Sequence, residues 1–172
     1  MSDVFYLRSI DPPITPEDVV LTAEAGGCFD LHRVSWKHSF LSADGGRMLC
    51  WYIAPDTESA RIALRQLKAD LEGVWPGTVM GENGAGGPAL SDANFVAELR
   101  LPDAHARSLE RIATALGQED ATLVRAFVST REPRAACVVR APSDGAVRAA
   151  LARAGAPPDA VWACTPITPT AQ

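Results

Sequence analysis

The stretch WKHSFLSADGGRMLCWYIAPD at residues 36–56 has a counterpart in LVRAFVSTREPRAACVVRAPS at residues 123–143. The offset is a constant 87 residues: Ser42 falls on Ser129, Arg47 on Arg134, Cys50 on Cys137 and Ala54-Pro55 on Ala141-Pro142. Extended to Trp75 and Trp162 the match needs no gap, and 12 of 40 positions are identical. A match that sustained is an internal duplication, and it fixes how the rest of the chain is read.

Each copy carries the same order of signals: strand, helix, strand, strand, helix, strand. In the first copy Val4 to Ile10 is β-rich, and Thr15 then caps a helix with Pro16 at its first position and Asp18 completing the cap. Gly26-Gly27 marks a break in that helix, since each glycine costs about 1 kcal/mol relative to alanine. Val34 to Ser42 and Arg47 to Ala54 flank the turn Asp44-Gly45-Gly46, a hairpin signal. Pro55-Asp56 opens a second helix reaching about Leu71, and Val74 to Met80 is the last strand. The second copy predicts helices from about Ala104 to Leu116 and from Gly145 to Ala154. At the front, Leu7-Arg8 matches Leu99-Arg100 at an offset of 92, which makes the second copy five residues shorter before its second strand.

The predicted fold is therefore α+β: two tandem ferredoxin-like βαββαβ units, residues 1–80 and 94–172, joined by a Gly-rich linker over 81–93. The run Gly81 to Pro88 is neither a phosphate-binding loop nor a dinucleotide fingerprint, because no Gly-Lys-Ser/Thr follows and no helix opens on it. Such a unit has one sheet face under its helices and one bare. Alternation assigns Met48, Cys50, Tyr52, Lys37, Ser39 and Leu41 to the helix side, with Lys37 and Tyr52 as edge exceptions. It leaves Trp36, His38, Phe40 and Trp51, with Tyr6 and Arg8, on the bare face of the first copy. In the second copy Leu123, Arg125, Phe127 and Arg140, with Glu98 and Arg100, are assigned to the bare face. Aromatic groups do not belong in water, and three arginines do not make a dry core. The two bare faces are accordingly expected to pack on each other as a pseudo-dimer. A one-residue change in hairpin register would flip a strand's faces, so this assignment depends on the loop.

The string of Cys28, His32, Val34, Trp36, Ser39-Phe40-Leu41-Ser42, Arg47-Met48, Cys50 and Ala54-Pro55-Asp56 resembles a family of small bacterial ferredoxin-like domains of unknown function. The characterised representative of that family is a nickel-binding protein, and its members dimerise, so the chain is similar to a fused dimer. The second copy keeps Cys137, Ala141-Pro142 and Val161-Trp162 but has no counterpart of Cys28, His32 or Trp36, so such a site exists once. The resemblance implies nickel or another divalent transition metal as cofactor, with Cys28, His32 and His38 the clustered soft ligands. Cys28 and His32 stand at i, i+4 on one helix face.

A different kit serves a small molecule. Tyr6, Trp36, Phe40, Trp51 and Phe127 would give apolar walls, Arg8, Arg100, Arg125 and Arg140 would hold an anionic group, and His38 with Glu98 is an available acid/base pair. The expected function is thus binding of a small ligand or metal at one asymmetric site between the sheets. The alternatives are a cyclase or isomerase acting on an anionic aromatic substrate, with His38 or Glu98 moving a proton, and a structural or interaction module. The net charge of −5 argues against a nucleic-acid partner. No nucleotide cofactor and no membrane partner are expected, and the chain reads as cytoplasmic, as a monomer or homodimer. The cysteines read as free thiols, Cys50 and Cys137 are expected to be inert core residues, and His105 to be a solvated surface residue.

Overall fold

The computed structural model describes residues 1–25, 27–81, 87–101 and 106–170. Most of the Gly-rich run, Gly26, His105 and the expected helix start at Ala104 lie outside the described residues. Two compact units emerge, one of Met1–Gly77 with Thr165–Gln172 and one of Thr78–Cys164. These bounds differ from the expected ones at the C-terminus, whose last residues count with the first unit; there Ile167, 7% exposed, joins the first unit's core.

Unit 1 is built from β1 (Ser2–Ser9), α1 (Pro16–Glu24), α2 (Gly27–Leu31), β2 (Ser35–Ser42), β3 (Arg47–Ala54), α3 (Thr57–Gln66) and β4 (Val74–Met80), whose last residues pass into unit 2. β1 pairs antiparallel with both β3 and β4, and β2 pairs with β3, giving the order 4-1-3-2 of a ferredoxin-like sheet. The Thr15 hydroxyl accepts from the Asp18 amide while the Asp18 carboxylate accepts from the Thr15 amide at 2.9 Å, so the predicted capping box forms. α3 ends at Gln66, earlier than expected, because Lys68 turns into the left-handed region at φ 58°. The β2–β3 turn needs its glycine: Gly45 sits at φ +72°, and a Cβ there would fall 2.2 Å from the Ile14 carbonyl oxygen.

Unit 2 repeats the plan with β5 (Phe95–Leu99), α4 (Ala106–Gly117), β6 (Thr122–Ser129), β7 (Ala135–Arg140), α5 (Asp144–Arg153) and β8 (Ala160–Ile167), whose end belongs to unit 1. β5 lies between β7 and β8, and β6 flanks β7. The caps of the second helices are equivalent: Asp56 accepts from the Ser59 amide at 2.7 Å, and Ser143 from the Ala146 amide at 3.1 Å.

Two details of register decide which side chains face the helices. β2 bulges between Trp36 and His38, and β6 bulges at the same place between Leu123 and Arg125. The extra residue restores Trp36 and Leu123 to the helix side while His38 and Arg125 stay opposite. In the first strands, Tyr6 stands across from Cys50 and Ala97 across from Cys137, so the structural offset is 91, not 92. Tyr6 and Arg8 therefore correspond to Ala97 and Leu99, and Glu98 corresponds to Leu7. The expected placement of Tyr6, Arg8, Trp36 and Leu123 on the bare face is corrected: a single-residue slip exchanges the two faces of a strand.

Candidate functional site

Tyr6, Arg8, Trp36, Ser39, Cys50 and Tyr52 meet in unit 1 beneath α1, α2 and α3, around a cavity of about 70 Å³. Three strands bring them together, since Tyr6 and Arg8 project from β1, Trp36 and Ser39 from β2, and Cys50 and Tyr52 from β3, all on the helix side. Phe29 of α2 closes one wall, its ring 5.6 Å from that of Tyr52. The cavity is open because α1 does little to fill it: Val19 is its one buried residue, and Thr22 and Ala23 line the space instead of large apolar groups.

The polar groups are ordered as a chain. Trp36 Nε1 donates to Ser39 Oγ at 2.9 Å, Ser39 Oγ donates to Cys50 Sγ at 2.9 Å, and the Tyr52 hydroxyl is hydrogen-bonded to the same thiol. The Tyr6 hydroxyl donates to the Asp70 carbonyl. Burial pushes the Cys50 thiol up, against the opposing hydrogen bonds of Ser39 and Tyr52, and drives the Tyr52 hydroxyl well above its ordinary value. Burial likewise raises Tyr6, with the neighbouring Arg8 charge pulling it back. All three are protonated at neutral pH. Arg8 is the one charged side chain lining the cavity, its guanidinium 5.4 Å from the Tyr6 ring centroid. Its Nε is buried and has no hydrogen-bond partner among the described residues.

The equivalent positions of unit 2 read Ala97, Leu99, Leu123, Ala126, Cys137 and Val139, all part of its apolar core or packed on it. Only the cysteine is common to both. The helix above them, α4, buries Leu109, Ile112, Ala115 and Leu116 where α1 buries Val19 alone. A groove of about 650 Å³ runs along α4, bounded by Met80, Pro88, Leu109 and Leu123, with Glu110 its one charged side chain. It adjoins sequence that lies outside the described residues.

The remaining candidates are distributed otherwise. His38, Phe40 and Trp51 keep the face of unit 1 away from the helices, as expected. His38 is 3% exposed with its ring 4.8 Å from that of Phe40, and burial lowers its pKa to about 4, so it is neutral. Its Nε2 has no hydrogen-bond partner among the described residues. Trp51 Nε1 donates to Asp3 at 2.8 Å. In unit 2, Glu98 accepts from Trp162 Nε1 at 2.7 Å, and Phe127 is fully buried. Arg125 donates to the carbonyls of Val124 and Pro88, Arg100 is exposed and 3.6 Å from Asp159, and Arg140 is exposed. Of the four expected arginines Arg8 alone lines the unit 1 cavity, and the offset of 91 gives it Leu99, not Arg100, as its counterpart.

The metal expectation fails the test of geometry. Cys28 lies on α2 and His32 just beyond it, on the helix side, where His32 Nε2 is 3.4 Å from Gln66 Nε2, whereas His38 faces away from the helices. The sheet separates the third donor from the other two. Among the described residues no group of three His, Cys, Asp or Glu side chains could hold a metal ion. The residues present do not fit nickel through Cys28, His32 and His38.

By alternation Ser39 and Cys50 read as helix-facing core, with Tyr52 an exception at the edge. The signal alternation passes over is the exchange between copies: Ser39 and Tyr52 stand where the second copy has Ala126 and Val139. Among the described residues no helix is long and apolar enough to cross a membrane.

No family model matches the chain, and no curated protein matches it in sequence. Solved structures with a similar trace include a candidate monooxygenase from Lactobacillus acidophilus NCFM (12% identity, 98% of this chain and 97% of that one, TM-score 0.44). An anthrone oxidase-like protein aligns at 11% identity over 98% of this chain and 91% of its own, with a TM-score of 0.45. A protein of unknown identity from Galdieria sulphuraria aligns at 15% over 94% and 96%, with a TM-score of 0.32. At these values the likeness carries no argument about function.

Proposed function

We propose that the chain is a small-molecule-binding protein with one site, the cavity of unit 1 lined by Tyr6, Arg8, Trp36, Ser39, Cys50 and Tyr52. The observation that carries this reading is the contrast with unit 2. The same sheet, built from the same ancestral segment, closes its core with Ala97, Leu99, Leu123, Ala126 and Val139. The polar lining is therefore not a requirement of the fold. Burying a serine and two tyrosines and half-burying an arginine beside unfilled space is costly unless something else selects for it.

Binding is favoured over the cyclase or isomerase alternative by protonation. Proton abstraction needs a base within reach of the ligand. The titratable lining groups other than Arg8 are Tyr6, Cys50 and Tyr52, and all three are held in their acid forms. They supply no base.

A fragment screen followed by thermal shift tests the reading, run on the wild type and on a triple variant, Trp36→Leu, Ser39→Ala and Tyr52→Val, which copies unit 2. Fragments that stabilise the wild type are expected to leave the triple variant unchanged. Equal stabilisation of both would place binding elsewhere and overturn the proposal.

A further inference from the structure

We infer that the ligand of the unit 1 cavity is a small carboxylate, or a planar anion of like size, seated with an oxygen on Arg8 Nε. This rests on the binding reading above and adds the charge and size of what binds.

Charge comes from the lining. Arg8 is its one ionic side chain, and no carboxylate lies among the cavity-lining residues. Its guanidinium rests near the Tyr6 ring and hydrogen-bonds the Tyr6 hydroxyl, contacts that leave the Nε–H without an acceptor. That buried donor has no partner among the described residues. A cation half withdrawn from water without a counter-ion is costly, and an anionic oxygen placed there forms a charge-assisted hydrogen bond. The buried polar groups are already engaged: Trp36 with Ser39, Ser39 with Cys50, Tyr52 with Cys50, and Tyr6 with the Asp70 carbonyl and with Arg8, while Thr22 is exposed. They rigidify the cavity and leave Arg8 as the open anchor.

Size comes from the volume. A cavity of about 150 Å³ holds benzene, and a water needs on the order of 10–15 Å³. The 70 Å³ here therefore accommodates a few non-hydrogen atoms, enough for a carboxylate with a short alkyl stub and too little for an enclosed aromatic ring.

The test uses the full chain labelled with ¹⁵N, following the Trp36 indole N–H resonance, assigned by its loss in Trp36→Phe. Acetate and the isosteric neutral acetamide are titrated at fixed pH and ionic strength, with benzoate as the size control. Acetate is expected to shift the Trp36 signal saturably, acetamide and benzoate to bind at least tenfold more weakly, and Arg8→Met to weaken acetate at least tenfold. Arg111→Met, on the exposed face of α4, is expected to change nothing. Acetate and acetamide binding equally would overturn the anion inference and leave the binding site standing. Benzoate binding as well as acetate would overturn the size argument. Acetate binding undiminished in Arg8→Met would overturn the role of Arg8. No shift of Trp36 with any of the three, together with no fragment hit, would overturn the site itself.

Discussion

Two units of one chain share a strand order, a bulge, a helix cap and a buried cysteine, and differ in what fills the space between sheet and helices. Unit 2 fills it with Leu99, Leu123, Ala126 and Val139 under a helix that buries four residues. Unit 1 fills it incompletely, with Arg8, Trp36, Ser39 and Tyr52 under a helix that buries one. Duplication gives the comparison an internal control: whatever both units keep serves folding, and what only one keeps needs another explanation. Close packing is the ordinary condition of a protein interior, and unit 2 meets it with apolar groups alone.

The sharpest way to break the comparison is to exchange its charged position. Leu99→Arg puts a guanidinium into a site 2% exposed and ringed by aliphatic groups, and is expected to cost about 4 kcal/mol or more in denaturant unfolding. The reverse change, Arg8→Leu, is expected to stay within about 1 kcal/mol of the wild type, since the unpartnered Nε donor it removes offsets the loss of the contacts to Tyr6. Large losses from both would mean that Arg8 is structural.

A second effect belongs to the opposite face of unit 1. His38 has a folded pKa of about 4 against an unfolded value of 6.5, so the unfolded chain binds the extra proton between them. Stability from this group is complete above pH 6.5 and is lost as pH falls toward 4, by about 3 kcal/mol in total. His38→Phe is expected to flatten that part of the stability–pH curve, and an unchanged slope would show that His38 is protonated in the fold. Smaller and equal losses of about 1 kcal/mol each are expected for Asp56→Ala and Ser143→Ala, the caps that both units retain. Unequal losses would show that the caps have diverged too. The gentlest difference is dynamic: amides of α1 are expected to exchange with deuterium faster than those of α4, because α1 has less apolar contact to lose on opening.

The fold was legible because its signals are local and repeated. The constant offset from Trp36 to Trp75, the turn Asp44-Gly45-Gly46 and the caps Thr15 and Asp56 each carry their own mechanism, and the structure has all of them. The site was legible only in composition. Tyr6, Arg8 and Trp36 stand out by residue type, but simple alternation puts them on the face opposite to the one they occupy. The bulge between Trp36 and His38 adds one residue that alternation cannot see, and the chance match of Leu7-Arg8 to Leu99-Arg100 hid the true offset of 91. A period of two makes each such error total for its strand. Cys28, His32 and His38 failed for a related reason: spacing along the chain says nothing about which side of a sheet a residue takes.

The most direct test of the account is a map of ¹⁵N–¹H shifts on binding of any fragment found by the screen. The account predicts shifts concentrated on Tyr6, Arg8, Trp36, Ser39 and Tyr52, with their counterparts Ala97, Leu99, Leu123, Ala126 and Val139 unmoved. Shifts centred on the unit 2 positions, or spread equally over both sets, would contradict it.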